Sequence, residues 1–268
     1  MNTTTTYSHV DKRPENAPPR RGSSARRIRA LIVAELRQFL ANRTLLFMAV
    51  LPLLMSFVLY ALISRQTNET TGLQNTLSDV LIPFVLLFVQ FYPVISAATT
   101  RRDEKVLKRL RTGESRDHEI LGALAVPGTI LSLLTIAAYS VFVIIDGAPS
   151  IDNLFLLVAA VLLGLVVSAT AGLITASFTK NAEAAQMTSM PVFLIALLAM
   201  PGLRRLFPDK VIEVIEYTPF ALVYDLALAS WLDAPTLTAA LSDLGVLTAW
   251  AIVLVWCATC YFKWETNR

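Results

Sequence analysis

The sequence predicts an all-α, polytopic membrane protein, and three observations carry that prediction. Only 16% of the residues are charged, against about 25% in soluble domains, which is too few to cover a water-facing surface. Apolar residues make up 55% of the 268-residue chain, and its mean hydropathy is +0.58. The charge is also unevenly spread. Six apolar stretches of ~18–27 residues hold almost no ionisable groups, and ~20 residues of helix span a hydrocarbon core. Together these exclude a soluble enzyme and a DNA-binding domain despite the net charge of +3, so no nucleic-acid partner is expected. Backbone groups in lipid must be satisfied within their own segment, so the stretches are helices. The alternating ~10-residue strands of a membrane β-barrel are absent.

Taken in order, residues 1–23 are polar, Pro-rich and aperiodic, which predicts a disordered cytoplasmic tail. That tail has neither the apolar core nor the cleavage site of a removable signal peptide. Residues 24–43 read as an amphipathic helix. Ile28, Leu31, Ile32, Leu36, Phe39 and Leu40 recur at spacings of three and four, while Arg26, Arg29, Arg37 and Arg43 fall mostly elsewhere. A basic helix of this kind lies in the membrane interface with its arginines on anionic headgroups, either as an anchor or as a docking element. The six-span domain then covers 44–262, with spans at about 44–64, 77–100, 119–145, 154–178, 184–203 and 244–262, followed by a cytoplasmic C-terminus at 263–268. The second span contains Pro83 and Pro93.

The basic residues orient the spans. Nineteen of the 23 fall before span one, between spans two and three, after span four or after span six. The other side has only Arg65, Arg204, Arg205 and Lys210. Basic loops stay cytoplasmic, so both termini are expected inside, as an even number of spans requires.

Two connections are more than turns. Between spans two and three, residues 101–111 read as a helix in which Val106, Leu107 and Leu110 form an exposed apolar stripe among charges of both signs, including Glu104, Arg109 and Arg111. Gly113 ends it, and the segment around Glu119 caps the third span. Topology alone explains the cations but not the acidic residues or the stripe, which suit a groove on another protein. Between spans five and six, residues 201–243 contain Glu213, Glu216, Pro219 and Asp225 and an apolar run at 220–231. Twelve residues of helix cover only about 18 Å, so this run is expected to dip back into the outer leaflet rather than cross.

Catalytic chemistry is missing from the pattern. There is no G-x-x-x-x-G-K-[ST] phosphate loop, nor H-E-x-x-H or G-x-S-x-G, and the two histidines, His9 and His118, lie outside the spans. No metal site or cofactor is expected. Cys257 and Cys260 read as packing residues within the last span. Polar side chains in the spans, such as Ser56, Gln90, Thr99, Ser168, Thr170 and Thr175, are expected mostly to bond to their own backbone or a neighbouring helix. The scattered aromatics Phe57, Phe84, Phe88, Phe91 and Tyr92 suit a hydrophobic or amphiphilic cargo.

This order of elements resembles the permease subunits of type-2 ABC exporters, the group of drug, antibiotic and polysaccharide export permeases. An amphipathic helix enters a Pro-containing first span. The pattern after span two is matched by Glu104, Leu107, Arg109, Leu110, Thr112 and Gly122; the polar loop before span five by Asn181 and Glu183; the proline within span five by Pro191; and the proline before the last outer helix by Pro219. Gly113 stands where the family usually has proline. The resemblance implies a bacterial cell-membrane exporter of two permeases, as homodimer or heterodimer, and two separate ABC ATPase chains that carry the ATP and Mg. It further implies that Glu104, Val106, Leu107, Arg109, Leu110 and Arg111 lie in the coupling helix seated in the ATPase. The helix with Arg29, Glu35 and Arg37 clamps that subunit from the side, and Glu213, Glu216, Pro219 and Asp225 lie in an outer gate. Beside this stand two other readings: a membrane scaffold or sensor holding a cytoplasmic partner through 101–111, and a passive channel.

Overall fold

The structure, a computed structural model, describes residues 24–63, 77–107, 116–145, 151–181, 183–231, 237–262 and 264. Every regular element among the described residues is helical. Helix α1 (Ser24–Ala41) and helix α2 (Arg43–Ile63) are separated by Asn42 alone. Asn42 makes that boundary: its Oδ1 accepts from the N–H of Thr44 at 3.0 Å and of Leu45 at 3.2 Å, capping α2. The apolar face of α1 buries Phe39, and one side of α2 stays exposed through Phe47, Val50, Leu54 and Val58.

The second span forms a continuous rod, α3 (Asp79–Asp103), at the centre of the bundle. Two stretches are wide π turns, Leu77–Leu81, which leads into the rod, and Val85–Phe91 within it; at the end of the second, the Tyr92 N–H bonds Leu87 O, five residues back. The physical reason lies in Pro83 and Pro93, which lack the N–H that an α turn would use. Leu81, Ile82, Val85, Leu86, Leu87, Val89 and Phe91 are wholly buried. Their neighbours accommodate the π segment's displaced carbonyls with very small surfaces. A Cβ on Gly128 would stand 2.6 Å from Val89 O, and one on Gly172 would stand 3.0 Å from Phe91 O. The Ser168 hydroxyl donates to Leu86 O.

Gly128 belongs to α4 (Asp117–Ile145), while Ser168 and Gly172 belong to α5 (Leu154–Phe178). Both helices have side-chain caps. Glu119 Oε2 accepts from the Arg116 N–H at 3.0 Å, and Asn153 Oδ1 accepts from the Leu156 N–H at 3.0 Å. The last crossing helix, α10 (Leu237–Tyr261), starts earlier than the predicted residue 244, because hydropathy marks hydrocarbon depth and not where a helix begins. For the same reason the second span's helix continues past residue 100 to Asp103.

The fifth span departs further from expectation. Among the described residues, five helices are long and apolar enough to cross a membrane by themselves, and this one is not among them. It is α6 (Ala185–Leu198), 14 residues or about 21 Å, followed by a break at Met200 and the short α7 (Pro201–Arg204). Pro201 ends α6 because it has no N–H to continue the ladder. The segment nevertheless runs the length of the bundle. Ala185 joins the apolar cluster of Ala176, Ala258 and Phe262 at one end, and a Cβ on Gly202 would stand 3.8 Å from Asp79 Oδ2 at the other.

Beyond α7 come the amphipathic α8 (Asp209–Glu216) and the apolar α9 (Pro219–Ala229). The expected dipping helix is α9. Its C-terminal end meets the start of α5, where the Asn153 N–H donates to Ser230 O at 3.1 Å, and Val223 packs on Gly164, where a Cβ would lie 3.0 Å away. Gly164 is ten residues into α5, so α9 enters the bundle to roughly 15 Å. Phe220, Ala221, Leu222, Val223 and Tyr224 are all buried there. The predicted tail at 1–23 and C-terminus at 263–268 lie almost entirely outside the described residues.

Candidate functional site

At the basic end of the bundle the structure corrects the expected continuous helix over 101–111. Helix α3 stops at Asp103, and the chain turns at Glu104 and Lys105, whose φ of 59° is the left-handed conformation. That conformation costs a non-glycine residue about 1 kcal/mol. The reversal drives Leu107 back into the bundle, wholly buried with Ile120, Leu121, Leu124 and Ala176. Leu107 is therefore a root of the connection and not part of an exposed ridge. The reason is hydrophobic: full burial of a leucine stabilises by about 2 kcal/mol, more than the turn costs. Glu104 stays exposed and Val106 half-buried. Arg109, Leu110, Arg111 and Gly113 lie outside the described residues.

Two arginines at the end of α3 hold this region together. The Arg101 guanidinium donates to Glu35 Oε2 at 2.7 Å and to Gln38 Oε1, both on α1. Arg102 donates to Ala176 O at 2.8 Å, which also accepts the capping N–H of Thr179, and to Thr179 O just beyond the end of α5. A cation there also meets the negative end of the helix dipole. Glu35, expected on the partner-facing side of α1, is buried and faces the bundle; Arg29 and Arg37 are exposed. Burial pushes the Glu35 carboxyl above the usual glutamate range, and the charge and hydrogen bond of Arg101 pull it part of the way back.

At the opposite end, Asp225 of α9 forms a two-pronged ion pair with Arg204 of α7, at 2.7 and 2.8 Å. The pair ties the broken fifth span to the dipping helix and lies beside Asp79, in the first turn of the second span's helix. Glu213 and Glu216 are exposed on α8 and do not join it by a direct bond among the described residues, while Pro219 starts α9. Trp250 Nε1 donates to Tyr217 O at 3.0 Å, fixing the α8–α9 joint against α10.

Within the spans most hydroxyls bond backward to their own helix, as Ser56 to Pro52 O, Thr99 to Ile95 O, Thr170 to Val166 O and Thr175 to Ala171 O. Side-chain bonds that cross to another helix include two at the π segment, Ser168 to Leu86 O and Gln90 Nε2 to Ala125 O at 3.3 Å. The aromatics pack between helices, with Phe88 and Phe91 edge-on to Phe193 of α6 and Phe57 against Tyr139 and Phe142 of α4. An apolar groove of about 360 Å³ opens sideways between α4, α5 and α10, lined by Gly122, Ala125, Leu165, Val166 and Val255 among others. Cys257 and Cys260 are free on α10.

Sequence reasoning singled out the connection after span two but not Arg101, Arg102 and Gln38 as its anchors, nor Arg204 as the partner of Asp225. The one available signal was the Arg101-Arg102 pair closing an apolar run, since a cation at the end of a span needs a carboxylate, a carbonyl or a headgroup.

The described residues form a multi-pass helical bundle with an interfacial helix and a shorter apolar helix entering from one end, the architecture of a polytopic membrane protein. The sequence over residues 26–230 matches the family model for ABC-2 type transporters, well over half of the chain, and the protein belongs to that family. No curated protein matches it.

Proposed function

We propose that the chain is the permease subunit of an ATP-driven exporter, with both termini cytoplasmic. A separate ABC ATPase docks on the basic end, and ATP and Mg reside on that partner. The observation that carries this reading is the geometry after α3. The exposed Glu104 and half-buried Val106 stand on a turn anchored by buried Leu107, Arg101 and Arg102, so a push on the turn reaches the bundle instead of dissipating in a loose loop. The excess of basic residues at that end supports a cytoplasmic placement. A conformational change needs a contact that differs between states, and this turn is the firm handle for one.

Six crossings in one chain leave little room for a complete pathway, which supports a dimer with a second copy or a paralogue. The mostly apolar, aromatic-rich interior favours a hydrophobic or amphiphilic cargo. The test is co-purification with the ATPase encoded beside the gene, followed by hydrolysis measured in lipid. Association that stimulates ATP turnover, weakened by Glu104→Arg with Val106→Asp, is expected. A partner that never associates, or turnover indifferent to that double change, would refute the proposal; association without any ATPase activity would favour the scaffold.

A further inference from the structure

We propose that Arg101 and Arg102 form a two-way tether that divides motion of the turn after α3 between α1 on one side and the α5–α6 joint on the other. The proposal rests on the transport reading above and names its positioning residues. Neighbours on a helix point about 100° apart and do not share a face, so consecutive arginines at a helix end can grip two separate elements. The geometry uses this. Arg101 reaches α1 through Glu35, at 2.7 Å, and Gln38. Arg102 reaches Ala176 O, at 2.8 Å, and Thr179 O at the end of α5.

The second branch continues. The Thr179 and Thr188 hydroxyls are 2.7 Å apart, and Thr188 lies in the first turn of α6, where its hydroxyl also bonds Ala184 O at 3.0 Å. The first branch continues too, because α1 joins α2 through the single residue Asn42, whose side chain caps α2. Helix α3 therefore connects at one level to spans one, four and five through polar bonds.

Burial makes these bonds selective. Arg101 and Glu35 side chains are 11% and 8% exposed, and Arg102 is 5% exposed. Charge-assisted bonds shielded from water are directional and costly to break, whereas apolar contacts slide. The tether thus transmits a turn or pull on α3 to two specific elements that it would otherwise slip past.

The experiment uses the full chain with its ATPase in lipid nanodiscs, with Cys257 and Cys260 replaced by serine. Spin-label pairs report α1 against α4 (Arg29→Cys with Asp117→Cys) and α6 against α4 (Gln186→Cys with Asp117→Cys), with and without ATP plus vanadate. Arg101→Gln should abolish the nucleotide-driven change of the first distance and spare the second. Arg102→Gln should do the reverse, and Glu35→Arg with Arg101→Glu should restore the first. Both variants affecting both distances alike, neither affecting them, or a charge exchange that restores nothing overturns the tether. If Arg102→Gln does not fold, Arg102→Lys, which keeps the charge but reaches one carbonyl, takes its place under the same criteria. If no ATPase binds the parent protein, the transport reading fails separately. The tether is then judged without nucleotide: Arg101→Gln must broaden only the first distance and Arg102→Gln only the second, and any other pattern refutes it.

Discussion

Glycine-to-alanine substitution at two positions of α4 should give opposite results. At Gly128 the added methyl would lie 2.6 Å from Val89 O, 2.8 Å from Gln90 Oε1 and 3.3 Å from Gln90 Cα. The nearest of these atoms belongs to the backbone of the most buried helix in the bundle, so the clash is not relieved by turning a side chain. Either α4 moves off the π segment or the segment reforms, and overpacking of this kind costs about 1–3 kcal/mol. At Gly122, one and a half turns earlier, the same methyl meets nothing within 4 Å and points toward the open apolar groove. There alanine stabilises the helix by up to about 1 kcal/mol through backbone entropy and propensity. The two variants should differ by about 1–4 kcal/mol, or several degrees in Tm at about 2–4 °C per kcal/mol. Thermal melting of the purified protein in a single detergent, followed by tryptophan fluorescence, reads this directly. If the two variants melt together, α4 does not cross α3 at the Val89 carbonyl, and the packing described above is wrong.

Other substitutions test the two ends. Leu107→Asp should destabilise the permease itself by about 3–5 kcal/mol, seen as aggregation or early melting without any partner, because a buried leucine becomes a buried charge. Glu104→Arg should leave the melt unchanged and weaken ATPase association, since Glu104 is exposed. Arg204→Ala or Asp225→Ala should each cost about 1–3 kcal/mol by leaving a partly buried charge without its bidentate partner, and Arg204→Asp with Asp225→Arg should recover most of it. Glu35 gives a pH signature. Its folded pKa is raised, so its proton contributes stability that is fully present below the ordinary glutamate range and lost as pH rises through the folded value. Acidification from neutral pH to below the ordinary glutamate range should therefore loosen the Arg101 bond, seen as greater mobility of a label at Arg29, without loss of thermal stability from this group. Glu35→Gln should be loose at both pH values.

Much of the architecture was legible in the chain because its causes are local. Lipid-length apolar runs, the three-and-four spacing of α1, the cap around Glu119 and the basic excess at one end need no knowledge of neighbours. The apolar run after Pro219 was also readable as too short to cross, and α9 enters the bundle as that length dictates. The broken fifth span was not readable, because hydropathy averages over Met200 and Pro201 and sees one stretch where the backbone makes two helices.

The direction in which the residues at the basic end point was likewise undetermined. Val106, Leu107 and Leu110 look the same in sequence whether they face a partner or the protein's own core, and only the cavity formed by α4, α5 and α10 decides that Leu107 goes inward. Arg101 and Arg102 are adjacent and chemically identical, yet one bonds a helix 66 residues earlier and the other the end of a helix 74 residues later. By itself the sequence determined that this is a polytopic helical membrane protein with a basic end, because burial in lipid and backbone satisfaction act residue by residue. Which charges anchor, which leucine is a root and which helix is cut short were decided by the tertiary structure, because those choices depend on what other parts of the chain leave unpaired or unfilled.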